Sequence, residues 1–130
     1  MITTPWKAAR PAIHRSALCT VFAAHLPVRS RRDLARALWW MLPIRRRLAH
    51  TAGLLGHALA VNGCAVWTVS AWTDRVALAR FDRSGIHRRA KAALRPVLLP
   101  STFVVWSCPI DELPVAWAEV RSRIAAAGAR

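Results

Sequence analysis

The sequence predicts an α+β domain of the ferredoxin-like type, ordered strand-helix-strand-strand-helix-strand with one further helix at the C-terminal end. Three observations carry that expectation. Asn62-Gly63, a pair whose residues both tolerate positive φ, separates two apolar stretches of strand length, Leu54 to Val61 and Ala65 to Trp72. Segments of helical period stand on either side of this hairpin. Outside them lie two single runs rich in β-formers, Leu18 to His25 and Thr102 to Cys108. This is the split βαβ pattern, whose product is a four-stranded antiparallel sheet with helices on one face.

Taken in order, the first strand is Leu18 to His25, closed by Pro27. Between Arg31 and His50, Leu34, Leu38, Met41, Leu42 and Leu48 recur at helical spacing, and Asp33 suits the positive end of the helix dipole. Pro43 is expected to kink that helix or end its first part, because proline lacks the N–H and crowds the preceding turn. Gly53 fits the helix exit. After the hairpin, Thr73-Asp74 supplies an N-cap for a helix through Leu78 and Phe81, Ser84-Gly85 interrupts it, and a second stretch from His87 stops before Pro96. The last strand ends at Cys108. Leu113, Trp117, Val120 and Ile124 then predict a helix capped by Asp111, with Pro114 tolerable in its first turn.

The strands are apolar at both parities. In the third, Val66, Thr68, Ser70 and Trp72 fall on one side and Trp67, Val69 and Ala71 on the other. A one-sided sheet would be polar on its uncovered face. The patterning therefore implies that a second subunit covers that face, with a pocket between sheet and partner.

A chain of 130 residues has room for one core, here 18–127, preceded by a basic, flexible lead over 1–17. Twenty Lys and Arg against six Asp and Glu give a formal charge of +14, which would suit nucleic acid or an anionic lipid surface. The densest run, Arg45-Arg46-Arg47, is short, and no aromatic residues interleave it as a base-stacking platform would require, so nucleic-acid binding is not the leading reading. Cys19, Cys64 and Cys108 are odd in number and widely spaced with no Cys-x-x-Cys pair, which argues against structural zinc and a disulfide framework, and the simplest expectation for each is a small buried hydrophobe. The N-terminal residues lack the apolar run of a signal peptide, and the uncharged stretch Thr51 to Thr73 reads as a hairpin rather than a membrane span. A cytoplasmic location is the expectation.

Among five histidines, His87 is the first candidate for proton transfer or metal ligation, because it opens a helix beside the expected pocket. His57 lies mid-strand and is the second. The six carboxylates fall on helix starts or outer faces, so no paired acid/base site forms. There is no glycine-rich nucleotide loop, no His-Glu-x-x-His and no tyrosine, which removes nucleotide cofactors, metalloprotease chemistry and tyrosyl roles. Trp39, Trp40, Trp67, Trp72 and Trp106 could wall an apolar site together with Leu55, Val66 and Val104.

Gly53-Leu54-Leu55-Gly56, the run from Val66 through Trp72 to Asp74, and Phe81 followed by Ser84-Gly85-Ile86-His87 resemble the dimeric α/β-barrel proteins over Leu18 to Cys108. Within them the chain is similar to spheroidene monooxygenase-like proteins and related small proteins. That resemblance implies a homodimer with a pocket in each subunit and haem-dependent oxidation of a small apolar or nitrogen-containing substrate in secondary metabolism. His87 would ligate the iron, and Arg88, Arg89 or Arg95 would hold the propionates. The ligand histidine of the haem-degrading members would fall near Lys91. The same resemblance admits a cofactor-free monooxygenase, isomerase or cyclase, in which His87 or His57 takes a proton from an activated carbon and Trp72 positions the substrate.

Overall fold

The computed structural model describes residues 1–8 and 17–128. Its elements are β1 (Ile2–Thr3), β2 (Lys7–Ala8), β3 (Leu18–Pro27), α1 (Arg31–Leu48), β4 (Leu54–Asn62), β5 (Ala65–Trp72), α2 (Arg75–Asp82), α3 (Gly85–Leu94), β6 (Thr102–Pro109), a 3-10 turn (Ile110–Glu112) and α4 (Trp117–Gly128). The long strands stand in the order β4-β5-β3-β6, all antiparallel, and β1 and β2 both pair with the outer edge of β4. This is the expected α+β ferredoxin-like arrangement. Within the expected flexible lead, residues 2–3 and 7–8 pair with β4, and residues 9–16 lie outside the described residues.

Local chemistry accounts for the element ends. Ser30 Oγ accepts from the Asp33 N–H at the start of α1, and Asp74 Oδ1 accepts from the Ala77 N–H at 2.8 Å at the start of α2. Gly53 has φ +86 and carries the chain from α1 into β4. Of the two alternatives for Pro43, an end to the helix is not found: α1 runs through it, held by Met41 and Leu48, which are buried on either side of it. Two local expectations are corrected. In the hairpin Asn62 pairs with Ala65, so the loop is Gly63-Cys64, and only Gly63 has positive φ, the requirement of a type II′ rather than a type I′ turn. Asp111 belongs to the 3-10 turn and caps nothing; α4 begins at Trp117, beyond Pro114, which cannot supply a helical N–H.

The core has three parts. On the face turned to α1 and α2, Leu48, Leu54, Trp72, Ala77 and Phe81 form one cluster at one end of the sheet, and Val28, Ala37, Leu94 and Val97 form another. The largest cluster lies on the opposite face, where Cys19, Val21, Ala23, Val69, Ala71, Trp106 and Cys108 pack against Val120 and Ile124 of α4, with Trp6 seated over Gly56. Sequence patterning assigned the cover of this second face to another subunit. The chain covers it with its own α4 and Trp6, because the apolar stripe of α4 has no other surface to bury. Among the described residues, no helix is long and apolar enough to cross a membrane.

Candidate active site

Between the two clusters on the α1 face lies a row of side chains drawn from four strands. Direct partners in an antiparallel sheet point to the same face. The register sets Val105 of β6 opposite Phe22 of β3, Phe22 opposite Ser70 of β5, and Ser70 opposite His57 of β4. At about 4.8 Å between strands the row spans about 14 Å. One end is apolar and open: Phe22 stacks on Phe103 with ring centroids 6.0 Å apart, and Phe103 is 57% exposed. The other end is closed and polar, with His57 only 6% exposed.

Trp72 fixes the middle. It is two residues from Ser70 on the same strand, hence on the same face, and its indole Nε1 donates to Ser70 Oγ at 2.9 Å. Phe81 holds the indole from the helix side at a centroid distance of 5.4 Å. Because the Ser70 oxygen accepts from Trp72, its hydroxyl proton is free to be donated elsewhere. His57 is pushed below the ordinary imidazole range, first by burial and then by the positive charges of Arg45 and Lys7. It is therefore neutral near pH 7, the form that can accept a proton.

Sequence reasoning named His57 and Trp72, and the fold brings them together around Ser70. It did not single out Ser70, Phe22, Phe103 or Val105 as members of such a row. Strand parity already placed Ser70 beside Trp72, but the register that aligns it with His57 is a tertiary fact.

The remaining expected site residues do not converge on this row. His87 opens α3 against Phe81, at a centroid distance of 5.3 Å, so the Phe81 ring joins it to Trp72. Its Nδ1 is 3.3 Å from Asp82 Oδ1 but out of hydrogen-bond alignment, and that oxygen accepts from Lys91 Nζ at 2.6 Å. Burial, then the Lys91 charge, push the His87 pKa down against a smaller upward pull from Asp82. The expected pocket walls are divided: Leu55, Trp67, Val104 and Trp106 pack on the α4 face, whereas Val66 is on the opposite face of β5. Trp39 is 71% exposed on α1 and walls nothing within the subunit.

The surroundings of His87 do not fit a haem. Phe81 and Asp82 crowd its ring, and Arg88 and Arg89 of α3 and Arg95 at its end are exposed. Among the described residues, no three His, Cys, Asp or Glu side chains gather as a metal site would need.

No protein-family model matches the chain, and no curated protein sequence matches it. Solved structures do. A conserved protein from Methanosarcina mazei superposes with a TM-score of 0.65 at 14% identity, over 71% of this chain and 94% of that one. SnoaB, a cofactor-independent oxygenase from Streptomyces nogalater, superposes at 0.61 with 18% identity, over 75% and 98%. A provisionally assigned antibiotic biosynthesis monooxygenase from Nitrosomonas europaea superposes at 0.64 with 10% identity, over 75% and 94%. The chain thus shares the ferredoxin-like fold of a set of small proteins that includes the monooxygenase-like ones.

Proposed function

We propose that the chain is a monooxygenase-like oxidoreductase that works without haem, taking a small apolar substrate along the row from Val105 to His57. The observation that carries this reading is the juxtaposition of a buried neutral His57 with Ser70 and Trp72 at the closed end of an apolar shelf. It is supported by the fold likeness to SnoaB, described as a cofactor-independent oxygenase.

In this reading the substrate carries a methylene activated by a neighbouring carbonyl or phenol. Its rings lie on Phe22 and Phe103, and its oxygen accepts from the Ser70 hydroxyl, so that charge developing there is stabilised. His57 takes a proton from the methylene. The carbanion reduces dioxygen and forms a carbon-bound hydroperoxide, with His57 returning its proton to the distal oxygen. Loss of the second methylene hydrogen as a proton and cleavage of the O–O bond give a carbonyl and water. One methylene and one dioxygen become one carbonyl and one water. A homodimer belongs to the same proposal: exposed Leu18 and Phe103 near the β6 edge are the apolar surface that a second copy would cover.

The test is dioxygen uptake with a hydroxylated, methylene-bearing polycyclic substrate, comparing His57→Gln with His87→Gln and recording the Soret region of protein made with haem precursor. Loss of uptake in His57→Gln alone, without a Soret band, is expected. Uptake that depends on His87, or a Soret band that follows it, would overturn the reading. Proton exchange at the methylene without dioxygen uptake would point to an isomerase instead.

A further inference from the structure

The largest core cluster contains a pair of thiols that the proposed oxidation does not use. Cys19 of β3 and Cys108 of β6 are direct register partners, both buried, and their sulfurs are 3.7 Å apart. The Ile110 N–H donates to the Ala17 carbonyl, which makes that pair a hydrogen-bonded one in the same ladder. Two residues along, Cys19 and Cys108 occupy the next such position, where Cα atoms stand about 5.5 Å apart. That separation lies inside the range a disulfide spans. The sulfurs need to close to about 2.05 Å, a movement that side-chain rotation with slight tightening of the strand pair supplies. The third thiol, Cys64, sits with the cluster of Val28, Ala37, Leu94 and Val97, away from the pair.

We propose that Cys19 and Cys108 form a latent two-electron site, which a hydroperoxide converts into a disulfide across β3 and β6. The Cys19 thiolate attacks one peroxide oxygen, the O–O bond breaks, and hydroxide leaves and takes up a proton as water. Cys19 is then a sulfenic acid. The Cys108 sulfur attacks the Cys19 sulfur, the S–O bond breaks, and a second water departs with the Cys108 proton. Two thiols are oxidised and one hydrogen peroxide is reduced to two waters. Burial pushes both thiols up, Cys108 to about 12 with the Cys19 sulfur beside it, and because the two sulfurs are in contact the same sequence can start from either one. Burial also makes the reaction slow, limited by opening of the β6 edge, and faster at higher pH. Once formed, the link fixes the two strands on which Val120 and Ile124 of α4 rest. The proposal does not depend on the oxygenase reading.

The experiment treats the purified full chain with hydrogen peroxide, then unfolds it without reductant and alkylates it. One alkylated thiol in place of three is expected, with peptide mapping that joins the Cys19 and Cys108 fragments and a higher unfolding midpoint that dithiothreitol reverses. Cys64→Ser should form the same link. Three free thiols after treatment would overturn the proposal, as would oxidation ending at sulfinic acid, a link to Cys64 or a link only between chains. Cys108→Ser should abolish the link; should that variant fail to fold, mapping on the unaltered chain decides by itself.

Discussion

Trp72 and Ser70 are joined by a hydrogen bond of 2.9 Å between the indole N–H and the hydroxyl oxygen, two positions apart on β5. Trp72 is 1% exposed, so Ser70 is the partner that keeps a deeply buried donor from going unpaired. The same serine stands across the ladder from His57, which makes one hydroxyl serve both packing and the candidate site.

Ser70→Ala should destabilise the fold by about 1–3 kcal/mol, since it strands the Trp72 N–H away from water. Urea unfolding followed by tryptophan fluorescence measures this. An effect below a few tenths of a kcal/mol would mean that the indole finds another acceptor.

His25, His57 and His87 are all held below the ordinary imidazole value of 6.5, in each case chiefly by burial. The unfolded chain then binds more protons than the folded one once the pH falls below about 6.5. Stability is therefore full above that value and declines as pH falls through it toward the lowered folded values. Denaturation curves between pH 8 and pH 5 should show this loss, and His57→Gln should flatten part of it. In the proposed reaction the acid limb of the rate profile should lie below about 6.5, the position of an unperturbed imidazole.

Gly56→Ala should disturb the N-terminal arm. A Cβ at Gly56 would run into the indole of Trp6, which packs on the α4-face core. The expected result is release of Trp6 with a red-shifted emission component and a stability loss of about 1–3 kcal/mol, the range for overpacking. Unchanged emission and stability would show that the arm contributes nothing to that face.

Trp39→Ala should change stability by less than about 0.5 kcal/mol, as expected for an exposed side chain outside any packed cluster. At 71% exposure the ring has little surface left to lose in the subunit. A larger loss that depends on protein concentration would place Trp39 in an interface between copies and bear directly on the homodimer.

Much of the fold is legible in the residues because its signals are local. The order of elements follows from the apolar runs of Leu18 to His25 and Thr102 to Cys108, the helical spacing of Leu34 through Leu48, the cap at Asp74 and the break at Ser84-Gly85. Strand parity put Ser70 and Trp72 on one face before any register was known. The tertiary structure decided the rest, for three physical reasons. Cross-strand register depends on which strands meet, so only the fold could set Phe22, Ser70 and His57 in one row and bring Cys19 to Cys108. The two-sided apolar strands required a cover, but burial has no direction, and patterning could not tell a second subunit from the chain's own α4 and Trp6. Histidine and tryptophan reveal their surroundings only through what packs against them, which left Trp39 of α1 in solvent and His87 of α3 against Phe81 while His57 of β4 was buried beside Ser70.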